Sequence, residues 1–157
     1  MASIITGKDQ LFGAWAATRI KHIGRVENLG KFVALGIATG TTADDKLLGV
    51  CVFHDYYPDY GHCQVSFASA DPRWASRQTV RALLAVPFFQ YRCHTVRLSV
   101  AQSDERTVRL VKALGFKFEA YLKDYFGRGA TAVIHRMSYS HYERLYWRKT
   151  EQAKAAA

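Results

Sequence analysis

The stretch LVKALGFKFEAYLKDYF, residues 110–126, changes its apolar period without a linker. Val108, Val111 and Leu114 recur at helical spacing, with Leu110 beside them. From Phe116 onward the pattern alternates, with Phe116 and Phe118 set against Lys117 and Glu119. Gly115 sits at the change, where a left-handed residue ends a helix and the lack of a Cβ removes the steric objection to that conformation. A junction this abrupt belongs to a layered fold in which helix and strand share one core.

The rest of the chain supplies the other layers. Residues 9–22 carry Leu11, Phe12, Trp15, Ala16 and Ile20 on one helical side, with Asp9 as N-cap and Gly24 as stop. Strand-like stretches at 31–39, 46–56 and 62–70 are separated by GTTADD and YPDYG, short turns that predict an antiparallel meander. A helix is expected over 73–91, bearing Val80, Leu83, Leu84 and Phe88 and kinked near its end by Pro87. HTVRLSVA alternates as a strand. Ser103 is the expected cap of the next helix, with Asp104 and Glu105 in its first turn and Lys112 in its last, as the helix dipole favours. Strands at 116–124 and 131–139 and a polar, aromatic helix at 141–154 complete the chain. The order predicts a mixed α/β layer fold: one domain over 1–140, then a C-terminal helix and tail over 141–157.

Charge narrows the partners. Twenty-two basic against 13 acidic residues leave a net charge of +9, which suits a nucleic acid, an acidic surface or a phosphate-bearing cofactor. With no zinc-finger spacing, Lys/Arg block or aromatic-basic strand signature, nucleic acid is the less favoured partner. No apolar run approaches the roughly 18–20 residues of a membrane span, and MASIITGKDQ lacks a signal pattern, so no membrane partner and a cytoplasmic location are expected. Cys51, Cys63 and Cys93 lack C-x-x-C spacing and lie in or beside apolar segments, which predicts buried thiols. The six histidines form no H-x-x-x-H pair, and no metal site is expected.

The element order, with strand–helix–strand–helix–strand over 62–124, resembles the GNAT superfamily of acyl-CoA-dependent N-acyltransferases across nearly the whole chain. LGFKFEAYLKDY looks like that family's helix-to-strand junction, and FFQYRCHTVRLSVAQSDERTVRLVKALGF matches the stretch leading into it. RWASR at 73–77 is similar to the Arg-Trp-x-x-Arg stretch of a subgroup common in bacteriophages and their hosts, as are the helix end VPF and the last strand HRMSY. The resemblance implies a GNAT fold: a mixed, mostly antiparallel sheet with splayed central parallel strands, here 62–70 and 94–101, and flanking helices. It further implies acetyl-CoA as co-substrate, its pantetheine arm in the gap between those strands. Acetyl transfer would go to a primary amine, either a protein lysine or N-terminus or a small amine, in a bacterial or phage-infected cell. The rival expectation is a catalytically inactive GNAT-fold binding module or phage structural protein.

The same resemblance assigns roles. Phe67, Ala68 and Ser69 would line the cofactor, and Arg73, Trp74, Ala75, Ser76 and Arg77 would surround its pyrophosphate. Trp74 and Ser76 fall where family members carry glycine, so two readings stay open. In one, Ala75 and Ser76 still present amides, Arg73 and Arg77 add charge-assisted contacts, and Trp74 packs beneath the loop or against the adenine. In the other, Asp71 caps the turn, with Pro72 in the first helical position. Asp104 and Thr107 fall where side chains reach the pantetheine or thioester; Asp104 serves equally as a first-turn dipole partner, and Thr107 could hydrogen-bond the departing thiolate. Val111 occupies the position of a tyrosine general acid, as in the ribosomal-protein N-terminal acetyltransferase branch. His62 is the one histidine or carboxylate side chain of its strand and the candidate base, with His54 and Asp55 near the end of the neighbouring strand. Ser66 and Ser69 could order water there.

Overall fold

The computed structural model describes residues 2–40, 46–148 and 154–156. Seven strands form one sheet in the order β1-β2-β3-β4-β5-β7-β6. They are β1 (Ser3–Ile5), β2 (Phe32–Ala38), β3 (Leu47–Tyr57), β4 (His62–Ser69), β5 (Thr95–Ala101), β6 (Lys117–Leu122) and β7 (Ala132–Ser138). β2, β3 and β4 make the expected antiparallel meander. β1 leaves no mark in the sequence pattern, because three residues are too few for an alternation to show; it is held by pairing with the far end of β2.

Helix α1 (Asp9–Ala17) is shorter than the expected 9–22. Asp9 is not its cap. Its carboxylate instead accepts from the Ala34 amide at 3.0 Å, tying the helix to β2. Phe12, Ala16 and Ala17 pack on Ala34, Val50, Val52 and Ala68, covering one face of the sheet. A Cβ at Gly36 would sit 2.6 Å from the Phe12 ring, so glycine is what allows the close approach.

On the opposite face, Val80, Leu83 and Leu84 of α2 (Arg77–Ala85) and Val111 of α3 (Glu105–Ala113) pack on Cys51, Cys63, Val65, Val96, Leu98 and Met137. The helix expected over 73–91 is three pieces. A 3₁₀ turn spans Pro72–Ala75, Ser76 breaks to an extended conformation and caps α2, and a wide π turn spans Val86–Gln90. Pro87 has no amide to donate, and the ladder widens around it.

The cap of α3 is Asp104, not Ser103: its carboxylate accepts from the Thr107 amide at 3.1 Å, while Ser103 lies one residue too far out. Past Leu114, Gly115 holds φ +101°, the Phe116 amide donates to the Val111 carbonyl and the Gly115 amide to that of Lys112. This is the paired bonding of a Schellman end, as the sequence junction demands. After β7, α4 (Tyr139–Tyr142) runs into a wide turn at Glu143–Arg148. Residues 149–153 of the expected helix lie outside the described residues. Tyr142 and Tyr146 are buried in the main core, and their hydroxyls donate to the Arg81 and Leu114 carbonyls at 2.6 and 2.5 Å.

Candidate active site

The site is set by a failure of pairing. β4 and β5 run parallel and pair only through His62–Thr95, Cys63–Val96 and Gln64–Arg97. Beyond these the strands part, so one edge of the β4 backbone from Val65 onward does not face β5 in the sheet. Phe67, Ala68 and Ser69 lie on that parted end, while Asp104 and Thr107 stand in the first turn of α3, just past the end of β5.

Where the strands part, a cavity of about 290 Å³ opens on the face that carries Gln64, Ser66 and Ser99. His54 and Asp55 of β3, His22 and Asn28 after α1, and Tyr125 and Phe126 of the β6–β7 loop close it. His22 stacks on Phe126 with ring centroids 4.1 Å apart. Burial, then the neighbouring His54, lowers the His22 pKa and favours its neutral form.

Three of these side chains form a chain of contacts. His54 Nδ1 lies 2.9 Å from Asp55 Oδ2, and His54 Nε2 lies 2.9 Å from Ser66 Oγ. An ionised carboxylate only accepts, so in the neutral imidazole Nδ1 is the donor to Asp55 and Nε2 accepts from the Ser66 hydroxyl. Successive residues of a strand point to opposite faces, so Asp55 would ordinarily face away from His54. It reaches because φ at Asp55 is 47° and the register slips between His54 and Tyr57. Sequence reasoning does not join His54 to Ser66. The available signal is their shared strand parity, but only the register, which sets His54 opposite Gln64, makes them diagonal neighbours.

His62 stands apart from this group. It opens β4 at the paired end, ringed by Tyr57 and Tyr60 with centroids 5.3 and 6.3 Å away. Four residues of strand separate it from Ser66, about 13 Å.

The 71–77 loop combines parts of both open readings. Asp71 does cap, but it caps the 3₁₀ turn, accepting from the Arg73 amide at 2.9 Å. The Arg73 guanidinium pairs with the same carboxylate at 2.7 Å and pulls its pKa down to about 2. Trp74 is 1% exposed and stacked on Phe67 at 4.9 Å, so it is the floor of the loop and cannot reach an adenine ring. Ser76 heads α2, its hydroxyl accepting from the Thr79 amide at 3.2 Å. Arg77 donates to the Leu145 carbonyl and lies over the Tyr146 ring, 5.1 Å from its centroid. It also borders a second cavity, of about 410 Å³, with Lys112, Lys117 and His141. In the first turn of α3, the Thr107 hydroxyl donates to Asp104 at 2.6 Å.

A central parallel pair that parts beside a helix N-terminus, within a sheet of this strand order, is the arrangement of the GNAT fold. Comparison with solved structures shows the same fold. The chain is similar to the spermidine N-acetyltransferase of Vibrio cholerae in complex with CoA and spermine (TM-score 0.68, 14% identity, 90% of this chain and 97% of that one). Mutant forms of the spermidine/spermine N-acetyltransferase from the same organism match with TM-score 0.69 and 16% identity over 92% and 98% of the two chains. A protein of T. thermophilus provisionally assigned as an acetyltransferase matches with TM-score 0.69 and 16% identity over 96% and 93%. No family model and no curated protein sequence matches the chain.

Proposed function

We propose that the protein is an acetyl-CoA-dependent N-acetyltransferase acting on a primary amine. The observation that carries this reading is the parting of β4 and β5 beyond Gln64 and Arg97, directly beside a cavity lined by His54, Ser66 and Ser99. The parted strands fit a pantetheine arm, which carries amides and can bond the β4 edge as a neighbouring strand would. Phe67, Ala68 and Ser69 line that path, with Asp104 and Thr107 across it. The pyrophosphate belongs at the Ser76-headed N-terminus of α2, where unpaired amides and the helix dipole favour anions. Arg73 and Arg77 flank that terminus and reach phosphate by exchanging their present protein partners for it.

The bound thioester supplies an activated acetyl group. The protein excludes water, holds the amine in the cavity, and removes its proton. For that last task the cavity supports His54 in place of His62, because His54 is within the lining and His62 is not. The Vibrio enzyme's complex holds spermine, a polycation. Among the described residues, the cavity lining carries a single carboxylate, Asp55, already engaged by His54. That supports an acceptor recognised by one amino group, on a molecule or side-chain tip small enough for about 290 Å³.

Thermal denaturation with acetyl-CoA tests the reading. At 100-fold over Kd, mass action adds about 2.7 kcal/mol, a rise of roughly 5–10 °C for a chain of this size. A panel of primary amines, followed by release of the CoA thiol, then identifies the acceptor. No shift at millimolar acetyl-CoA, with the fold intact, would leave a binding or structural module as the reading.

A further inference from the structure

We propose that the acceptor is a primary monoamine carried on a flat aromatic body, an arylalkylamine, held with its nitrogen on the floor of the cavity and its ring against Phe126. That this molecule is acetylated rests on the function proposed above; that it binds in preference to a polyamine does not.

The cavity has two unlike halves. Its floor is the sheet, where Gln64, Ser66 and Ser99 are neutral groups able to accept from the three N–H donors of an ammonium, with His54 beside them. Its cover is apolar. Ile23 and Leu29, both buried, come from the segment after α1, and the Phe126 ring comes from the β6–β7 loop. Two further rings brace Phe126: His22 stacks on it at 4.1 Å, and Tyr125 stands edge-on with centroids 5.0 Å apart. A ligand ring extends this group by offset stacking or edge contact, a gain that an aliphatic ring of the same size does not share. Because His22 is held toward its neutral form, the cover sets no positive charge against an incoming ammonium.

The aromatic wall is preformed. The Asp124 carboxylate accepts from the Gly129 amide at 2.6 Å, and the Phe126 amide donates to the Ala130 carbonyl at 3.1 Å. After α1, the Asn28 side-chain amide donates to the Ile23 carbonyl at 2.6 Å. Both segments are thus held by their own bonds, and a ligand pays little to order them. Size and charge select the occupant. An apolar cavity of about 150 Å³ takes a benzene ring, so about 290 Å³ takes the ring and a short arm bearing the amine. A polyamine would put further ammonium groups under Ile23, Leu29 and Phe126, where no free carboxylate meets them among the described lining residues. The net charge of +9 also opposes a polycation at long range. In the transfer, the amine nitrogen bonds to the acetyl carbonyl carbon, the thioester C–S bond breaks, and the amine's proton passes through His54 to the departing thiolate.

The test measures binding first, by calorimetry of the full chain with 2-phenylethylamine, 2-cyclohexylethylamine and spermidine. It is run with and without CoA, which has no acetyl group to transfer. The phenyl amine should bind about two- to tenfold tighter than the cyclohexyl amine, which has nearly the same size and the same amino group. It should bind about tenfold or more tighter than spermidine. Phe126→Leu keeps an apolar side chain without the ring and should bring the phenyl-to-cyclohexyl ratio close to one; Phe126→Met serves if that variant does not fold, as thermal melts will show. A phenyl preference lost in the folded variant supports the proposal. Spermidine or the cyclohexyl amine binding as tightly, no binding of any of the three, or a preference that survives in the folded variant would overturn it. Release of the CoA thiol from acetyl-CoA separates the two readings. A bound phenyl amine without release sinks the acetyltransferase and leaves the binding preference standing, whereas release with spermidine alone leaves the acetyltransferase and sinks this acceptor.

Discussion

Gly115 holds φ +101°, and a Cβ there would run into Leu145. Gly115→Ala should therefore lower stability by about 1–3 kcal/mol in urea titration. Truncating Leu145 in the same chain should restore only part of this, since the backbone strain remains. His135 presents a different stress. It is buried opposite Leu98 and Phe118 in the sheet, and neither ring nitrogen meets a well-formed hydrogen-bond partner among the described residues. Burial, then the charge of Lys112, lowers its pKa below the ordinary 6.5, and a marginal approach to the Val133 backbone offsets only part of this. The unfolded chain takes up this proton first, so stability should fall as pH drops below about 6.5. His135→Leu should be neutral or stabilising near pH 7, and should flatten the acid side of a stability–pH curve for this site.

At the scale of elements, the C-terminal segment is held to α2 by two arginines one turn apart. Arg77 donates to the Leu145 carbonyl, and Arg81 lies over the Trp147 ring at 3.6 Å. Arg77→Ala should speed amide exchange over 143–148 by about tenfold, and acetyl-CoA affinity should fall by a similar factor if the guanidinium also serves phosphate. Faster exchange with unchanged affinity would restrict Arg77 to the tether. The α2 region also shows what a local pattern omits. Val80, Leu83, Leu84 and Phe88 keep helical spacing through 73–91, yet the backbone is a 3₁₀ turn, a helix and a π turn. Val80, Leu83, Leu84, Pro87 and Phe88 are buried at helical spacing across α2 and the π turn, so burial alone does not mark the break.

For the whole molecule, the 22 basic residues are spread over many elements, and some are neutralised by pairs such as Arg97 with Glu119 at 2.7 Å. The net +9 that remains is a long-range field acting on any anionic ligand. Acetyl-CoA affinity should fall on the order of three- to tenfold between about 0.05 and 0.5 M NaCl, read by calorimetry, as screening shortens that field. Salt-independent affinity would mean that local hydrogen bonds alone hold the phosphates.

What the sequence determined by itself is local or periodic. The helix stop at Gly115, the meander of β2 to β4, the apolar faces of α2 and α3, and buried Cys51, Cys63 and Cys93 each follow from a few adjacent residues, since period and turn chemistry act over one or two turns of chain. The resemblance carried by LGF and RWASR extended this to the fold and to the strands that part. The tertiary structure decided what depends on register and on distant segments. Asp104 displaced Ser103 as a cap, and Trp74 became the floor of its loop. His62 was left at the paired end of β4 while His54 met Ser66. That meeting needs two strands aligned to the residue, and the contact of Asp55 with His54 needs a left-handed turn at Asp55. No local pattern encodes such an alignment, because a slip of one position in the pairing would put His54 and Ser66 on opposite faces.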